Sequence, residues 1–461
     1  MKIKTGLFGV LLSIATATAY GLGVQSAPAE PAVSTPTANP VINLTPAQIS
    51  ERARAYIAQI GVDPDSDNGQ ILIAWFTRIV QEPGYLARLT TLRSSSPGLV
   101  DTMLPPAARL KALRVTADMA RGSRNNCAMP DIGGKDLAAL AKTLPSKSLK
   151  GVLEMMDILL NRDGTASGDE HYTVAELLDV DARMNTIELP ASLSKPGASK
   201  SCEAIAFAVG MIDKLPEPEQ QRITYELFKM ISGGKSASET VLADPDAYLD
   251  EVFDERRLQE AIRSQLPPDG SRPLPYSRLI VDGEWVNKTT PKAAGPYVDT
   301  YVNRRNNGVV AELMTTRDGS GATDWSYFGL TSGIAELMGQ SVQGRFDAQR
   351  LGMLKDASAI AVANAPLAEG KRIEFALPQP SSRGQLTRRC EIGKTEPAST
   401  IFGTLTGNAV NLDCSEVRKD GTTSRVRSAW LADYGIELSK TIDDEAGRTD
   451  VIIKNVTIVK P

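Results

Sequence analysis

The 461-residue chain carries 51 lysines and arginines against 55 aspartates and glutamates, a formal net charge of −4, with 42% hydrophobic and 5% aromatic residues. That composition predicts folded cores spread over two to four domains of roughly 100–200 residues. A mildly acidic chain lacks the basic footprint of a nucleic-acid binder. The few aromatics weigh against a ring-lined carbohydrate groove, and a single histidine excludes zinc sites of two or three imidazoles.

Lys2 and Lys4 precede an uncharged run from Thr5 to Ala29. A basic start, an apolar stretch at Leu7–Ile14 and the small residues Ala17-Thr18-Ala19 read as a secretory signal over 1–19. The competing reading is an uncleaved anchor to residue 24, because Gly6–Val24 approaches the ~20 residues that span a bilayer; it would tether the chain to the inner membrane. Either way the bulk of the chain is expected to be periplasmic or secreted. No cysteine follows the apolar run, which excludes a lipoprotein anchor. Pro28, Pro31, Pro36 and Pro40 mark 28–44 as an extended linker.

From residue 45 the patterning is helical. Thr45 reads as an N-cap, Pro46 as the first helical residue and Gly61 as the stop. Ile49, Ala53, Tyr56, Ile57 and Ile60 form one face. Further helices are expected at Gly69–Leu92, Pro106–Arg121, Lys135–Lys142, Ser146–Leu160, Glu170–Thr186, Cys202–Lys214, Glu217–Ile231 and Asp246–Gln265. The helical domain is therefore 45–266. A mixed region, 275–370, follows. In it Asp282-Gly283 and Asn307-Gly308 read as hairpin turns, Thr331–Met338 as a helix and Leu351–Ala365 as an ambiguous apolar run. Residues 371–461 read as an antiparallel β domain. Helices followed by strands, without alternation, make the fold class α+β: an all-helical N-terminal domain, then a largely antiparallel one.

Four cysteines in an exported chain predict disulfides. Cys390 shares its strand face with Ile392, and Cys414 shares its face with Val410 and Leu412, so both thiols point to an apolar side. They are expected to pair as a cross-sheet bridge, leaving Cys127 with Cys202. No C-x₂₋₄-C half-site exists, which argues against zinc and against a thioredoxin-like motif.

Catalytic signatures are weak. His171 reads as a solvated residue at a helix start after Asp169 and Glu170, and no G-x-S-x-G elbow accompanies it. Asn161–Glu170 and Asp63–Asn68 are imperfect calcium loops. Asp318–Asp324 reads as a plain loop. Ser192–Lys195 and Ser232–Lys235 have Ser-x-x-Lys spacing outside the helix start it requires. Asn43, Asn287 and Asn455 are glycosylation acceptors only in a eukaryotic host. Paired carboxylates need no histidine, so Glu154, Asp157, Glu170 and Glu176 are the candidates for hydrolysis. With no catalytic residue, metal or cofactor assigned, the expected function is non-catalytic: an envelope protein that binds or assembles other envelope proteins. The alternative is a carboxylate-dependent hydrolase of envelope polysaccharide.

Overall fold

The computed structural model describes residues 45–82, 105–122, 141–142, 144–160, 172–185, 206–231, 234–287, 289, 295–344, 347–378, 386–417, 423–445 and 447–461. His171, Asn161–Glu170, Ser192–Lys195, Cys127 and Cys202 lie outside them, as do the signal segment and the linker. The chain divides into two compact units. The fold is α+β, with most helices N-terminal and one large antiparallel sheet in the C-terminal part. No helix among the described residues is long and apolar enough to cross a membrane.

The first unit contains α1 (Pro46–Gln59), α2 (Asp67–Gln81), α3 (Pro106–Gly122) and α4 (Ser146–Leu160); after α5 (Val174–Asn185), which belongs to the second unit, comes α6 (Glu217–Ile231). Thr45 opens α1 with a reciprocal capping box to Gln48, and Gly61, at φ 76°, ends it. Ser66 caps α2; neither Asp67 nor Asn68 does. Asn68 instead donates to the carbonyls of Ala141 and Leu144 at 2.7 and 2.9 Å. Asp63 and Asp65 are taken up locally: Asp63 accepts from the Asp65 amide, and Asp65 pairs with Arg54. Residues 206–212 are helical, with Ala208, Val209 and Ile212 buried.

The second unit is built on thirteen strands: β1 (Arg278–Asn287), β2 (Gly295–Asn303), β3 (Val309–Arg317), β4 (Thr323–Ser332), β5 (Ala335–Gln343), β6 (Asp347–Ala348), β7 (Gly352–Met353), β8 (Arg372–Leu377), β9 (Leu386–Pro397), β10 (Asn408–Val417), β11 (Thr423–Leu431), β12 (Ile436–Asp444) and β13 (Gly447–Val459). They form one sheet in the order β6-β5-β4-β3-β2-β1-β13-β12-β11-β10-β9-β8, with β7 beside β5. Two meanders are thus joined where the first strand pairs with the last. The stretches 275–370 and 371–461 both contribute to this single sheet. Short helices complete the unit: α7 (Ala237–Ala243), α8 (Pro245–Val252), α9 (Glu260–Arg263) and α10 (Ser358–Ala363). α10 packs on β5 and β8, and β8 itself lies against β5, so the sheet curls until its two arms face each other.

Helices cover the outer face of one arm. Tyr248 of α8 donates to Gln340 Oε1 at 2.7 Å, and its ring meets Phe328 edge-on at 5.0 Å; Phe253 stacks on Phe328 at 5.6 Å. Arg304 donates to the carbonyls of Phe253 and Leu249 and so satisfies the end of α8. From α5, Asp179 accepts two bonds from Arg350.

Three local expectations are corrected. Asp282-Gly283 is no turn but continuous strand within β1, opposite a bulge at Lys454 of β13, and Gly283 lies beneath the Tyr297 ring: a Cβ there would sit 2.3 Å from Tyr297 Cζ. Thr331–Met338 is the β4–β5 hairpin with Gly333 at φ 61°, where pairing across the sheet overrides the helix preference of Ala-Glu-Leu-Met. Asp246–Gln265 is broken into α8, a 3₁₀ turn at Glu255–Arg257 and α9. The Asn307-Gly308 turn is present, with Asn306 at φ 51° and Gly308 at φ 80°.

Cys390 and Cys414 face each other on β9 and β10 and are joined, with S–S 2.07 Å and both residues buried. The bridge links neighbouring strands of one sheet; it does not cross between two sheets. For a closed segment of 24 residues, the chain-entropy model gives about 3 kcal/mol. Urea unfolding of the Cys390→Ala/Cys414→Ala double variant should show a loss of that size in the second unit. An unchanged midpoint would mean that the hairpin alone already supplies the constraint.

Candidate functional site

The inward face of the curled sheet follows from strand parity. On β2 the residues Tyr297, Asp299, Tyr301 and Asn303 alternate inward. Register places Glu312 of β3 opposite Tyr301, Met314 opposite Asp299, and Tyr327 of β4 opposite Met314. Gly329 and Gly339 lie side by side on β4 and β5. Their missing side chains leave a floor for two carboxyl groups. A Cβ on Gly329 would be 3.2 Å from Glu312 Oε2, and one on Gly339 would be 1.8 Å from Glu336 Oε1. A side chain at 339 would displace the Glu336 carboxyl group.

The opposite arm contributes Arg388 of β9, Glu416 of β10, Ser428 of β11 and Glu437 of β12. Glu437 Oε1 accepts from Arg388 Nη2 and, at 2.5 Å, from Ser428 Oγ. Arg388 also lies 4.0 Å from Glu416. Glu336 and Tyr327 stand near one end of the strand order, and Arg388 and Glu416 near the other. These groups nevertheless act on one another electrostatically. The result is one enclosed cluster of five carboxyl groups, Asp299, Glu312, Glu336, Glu416 and Glu437, around the single guanidinium of Arg388.

Burial dominates its electrostatics. Asp299, 3% exposed, is pushed up to about 7 by burial, against the Tyr301 hydroxyl, which donates to Oδ2 at 2.5 Å, and the Thr300 amide. Glu336 is pushed up to about 7 by burial, despite a 2.6 Å hydrogen bond from Tyr327. Glu312 is held well above the usual carboxylate range by burial and then by Asp299, Glu336 and Glu437. No hydrogen bond reaches its carboxyl group among the described residues. Burial opposes the charge of Arg388, but Glu437, Glu416 and Glu336 outweigh it and keep the guanidinium above its ordinary value. Glu312, Glu336, Tyr327 and Arg388 are surrounded by protein yet not fully closed to water. Chemically, such a cluster can hold protons at neutral pH, move them between acids, or take up a cation. Among the described residues no group of three or more His, Cys, Asp or Glu has metal-binding geometry.

A second feature is a cleft. The turns β2–β3, β4–β5 and β11–β12 meet the segment after α10 around a cleft of about 550 Å³. Leu274, Leu367, Val410 and Trp430 give apolar wall, and Arg272, Asn364 and Asp433 are polar. Arg272 is fixed by a 2.7 Å bond to Asn364 Oδ1 and by its amide on Asn306 O at 2.8 Å. Gly333 is required beside it, since a Cβ would lie 2.8 Å from Ala363 O. The outer face of β8–β11 carries a third feature, a hollow of about 630 Å³ whose charges pair among themselves: Arg372 with Glu391, Arg389 with Glu374, and Arg425 with Asp413.

The acids singled out from sequence that the structure describes within the first unit make helix-to-helix contacts. Glu154 bonds Lys111 at 2.9 Å, and Asp157 accepts from Trp75 Nε1 at 3.0 Å and from Arg78, so both tie α4 to neighbouring helices. Glu176 belongs to the other unit, and Glu170 lies outside the described residues. Asn287 is buried and donates to Thr449 at 2.9 Å. The interior acids escaped notice because each sits alone within a strand; the available signal was a carboxylate on the inward parity, as with Glu312 between Val310 and Met314. No protein-family model, no curated protein and no solved structure matches the chain.

Proposed function

We propose that this is an exported cell-envelope protein that binds or assembles other envelope proteins without catalysis, using the cleft bounded by Arg272, Asn364, Trp430 and Asp433. The cleft carries this reading. Its volume lies within the range of ligand and segment sites, and its apolar wall with a few convergent polar groups has their composition. Export is supported by the basic, then apolar N-terminal sequence and by the buried Cys390–Cys414 bridge, which suits an oxidising compartment. The mature chain is expected to begin near Tyr20, and N-terminal sequencing checks it. An intact Met1 in the membrane fraction would mean a tether instead.

The test is co-purification from the envelope fraction with wild type and with Asp433→Lys/Trp430→Ala. At least one partner should be lost from the variant while its thermal unfolding stays within a few degrees of wild type. The same partners in the same amounts on both proteins would refute the use of this cleft. The hydrolase reading draws on the proton-holding Glu336, which Glu416 acts on, and on Glu437, which accepts bonds from Arg388 and Ser428. A polysaccharide strand needs an open groove, whereas these acids are enclosed, so binding is preferred.

A further inference from the structure

The enclosed cluster holds more acid than base. Arg388 faces Glu437 and Glu416 directly and acts on Glu336 at longer range, which leaves Asp299 and Glu312 without a cation of their own among the described residues and Glu336 with only a shared one. Two of these three also lack full hydrogen bonding. Asp299 Oδ1 is buried with no partner at hydrogen-bonding geometry, and the Glu312 carboxyl, partly open to water, receives no hydrogen bond from the described residues. A buried polar atom such as Asp299 Oδ1 is rare unless something else meets it.

Aromatic rings stand one rung outward on the same face. Tyr297 is two residues from Asp299 on β2. Trp285 stacks on Tyr297 with centroids 5.1 Å apart, and Trp325 meets Trp285 edge-on at 5.7 Å. Both tryptophans are only partly buried, because β1 ends at Asn287 and β4 begins at Thr323. Along one face the order is therefore partly open indole rings, then Asp299 with Tyr327, then Glu312 with Tyr301 over the glycine floor. Rings attract cations through their faces, and unpaired carboxylates attract them more strongly. Together they select an ammonium ion that carries carbon.

We propose that the inward face of β1–β5 is a binding site for a small organic ammonium ion, with Trp285, Tyr297 and Trp325 at its mouth and Asp299, Glu312 and Glu336 as its charge partners. The proposal is independent of the cleft. A quaternary alkylammonium group has neither N–H donors nor lone pairs, so it asks only for negative charge and ring faces, which this face supplies.

The probe is tetramethylammonium chloride, added to the full mature chain at pH 8 and compared with sodium chloride and calcium chloride at equal ionic strength. Tetramethylammonium should raise the melting temperature of the second unit by ~5 °C more than either salt and should change tryptophan emission. Glu312→Gln, which keeps the side chain's size and should fold, should abolish the difference. Trp325→Leu, at a partly exposed position, should weaken binding by roughly five- to tenfold and serves if the first variant fails to fold. Equal shifts from all three salts would overturn the proposal, and so would a tetramethylammonium shift that both variants retain.

Discussion

Raising the pH from 5 to 8 should destabilise the second unit. Asp299 and Glu336 release their protons near 7 in the folded protein, and Glu312 releases its proton well above the usual range. The unfolded chain would release all three near ~4. The folded state thus binds more protons across this window. A group with a raised folded value contributes stability that is complete below its unfolded value and lost as pH climbs through the folded one. For Asp299 the shift from 3.8 to about 7 corresponds to ~4 kcal/mol at most. Melting followed by near-ultraviolet circular dichroism should fall by roughly 10 °C between pH 5 and 8. Acids of the opposite kind set the lower limit. Asp254, held down to about 2 by hydrogen bonds from Arg256, and Asp413, held down by Arg425, give stability that is lost as pH falls below ~4. A flat or rising melting curve over pH 5–8 would sink the account of the cluster, and Asp299→Asn/Glu312→Gln should flatten the fall.

Arg388→Met should cost about 3–5 kcal/mol at pH 7, as expected when one partner of a buried ion pair is removed. The side chain is 12% exposed and faces Glu437 and Glu416, so its loss leaves two carboxylates beside Glu336 with no counter-charge. Urea unfolding measures the loss. Arg389→Met is the internal control, because the adjacent guanidinium points outward, pairs with Glu374 and is 58% exposed; it should be silent. Arg388→Met/Glu437→Gln should recover part of the loss, since it removes one of the stranded charges. Equal costs at 388 and 389 would show that the interior charge matters no more than surface charge.

What the sequence reveals depends on whether the cause is local. Thr45, Pro46 and Gly61 bracket α1 by chemistry confined to a few residues, and the structure keeps it. In Asn307-Gly308, Gly308 likewise supplies a left-handed position at the β2–β3 turn, with Asn306 as the other. Asp282-Gly283 has the same dipeptide chemistry, but its glycine answers to the Tyr297 ring on the next strand, which no local pattern reveals. The helix expected over Thr331–Met338 fails for a related reason: its residues favour helix singly, while β3 and the turn at Gly333 fix them as strand. The acidic cluster is the least legible. Glu312 and Glu437 lie 125 positions apart in the chain yet influence each other. Strand parity gives the direction each side chain points, and only the sheet order gives what it meets.

The pairing of β1 with β13 also sets an order of events in time. The hydrogen bond from Ser277 Oγ to Val459 O spans 182 positions, and β1 has its second neighbour only when the final strand arrives. At a synthesis rate of roughly 5–20 residues per second, the ribosome releases that strand on the order of ten seconds or more after β1. Through that interval the sheet has an open edge at its middle and cannot lock. A chain built this way keeps β1 without its second partner until translation ends. It also leaves β1 exposed to wrong pairing on the way, a hazard that a holding chaperone would relieve.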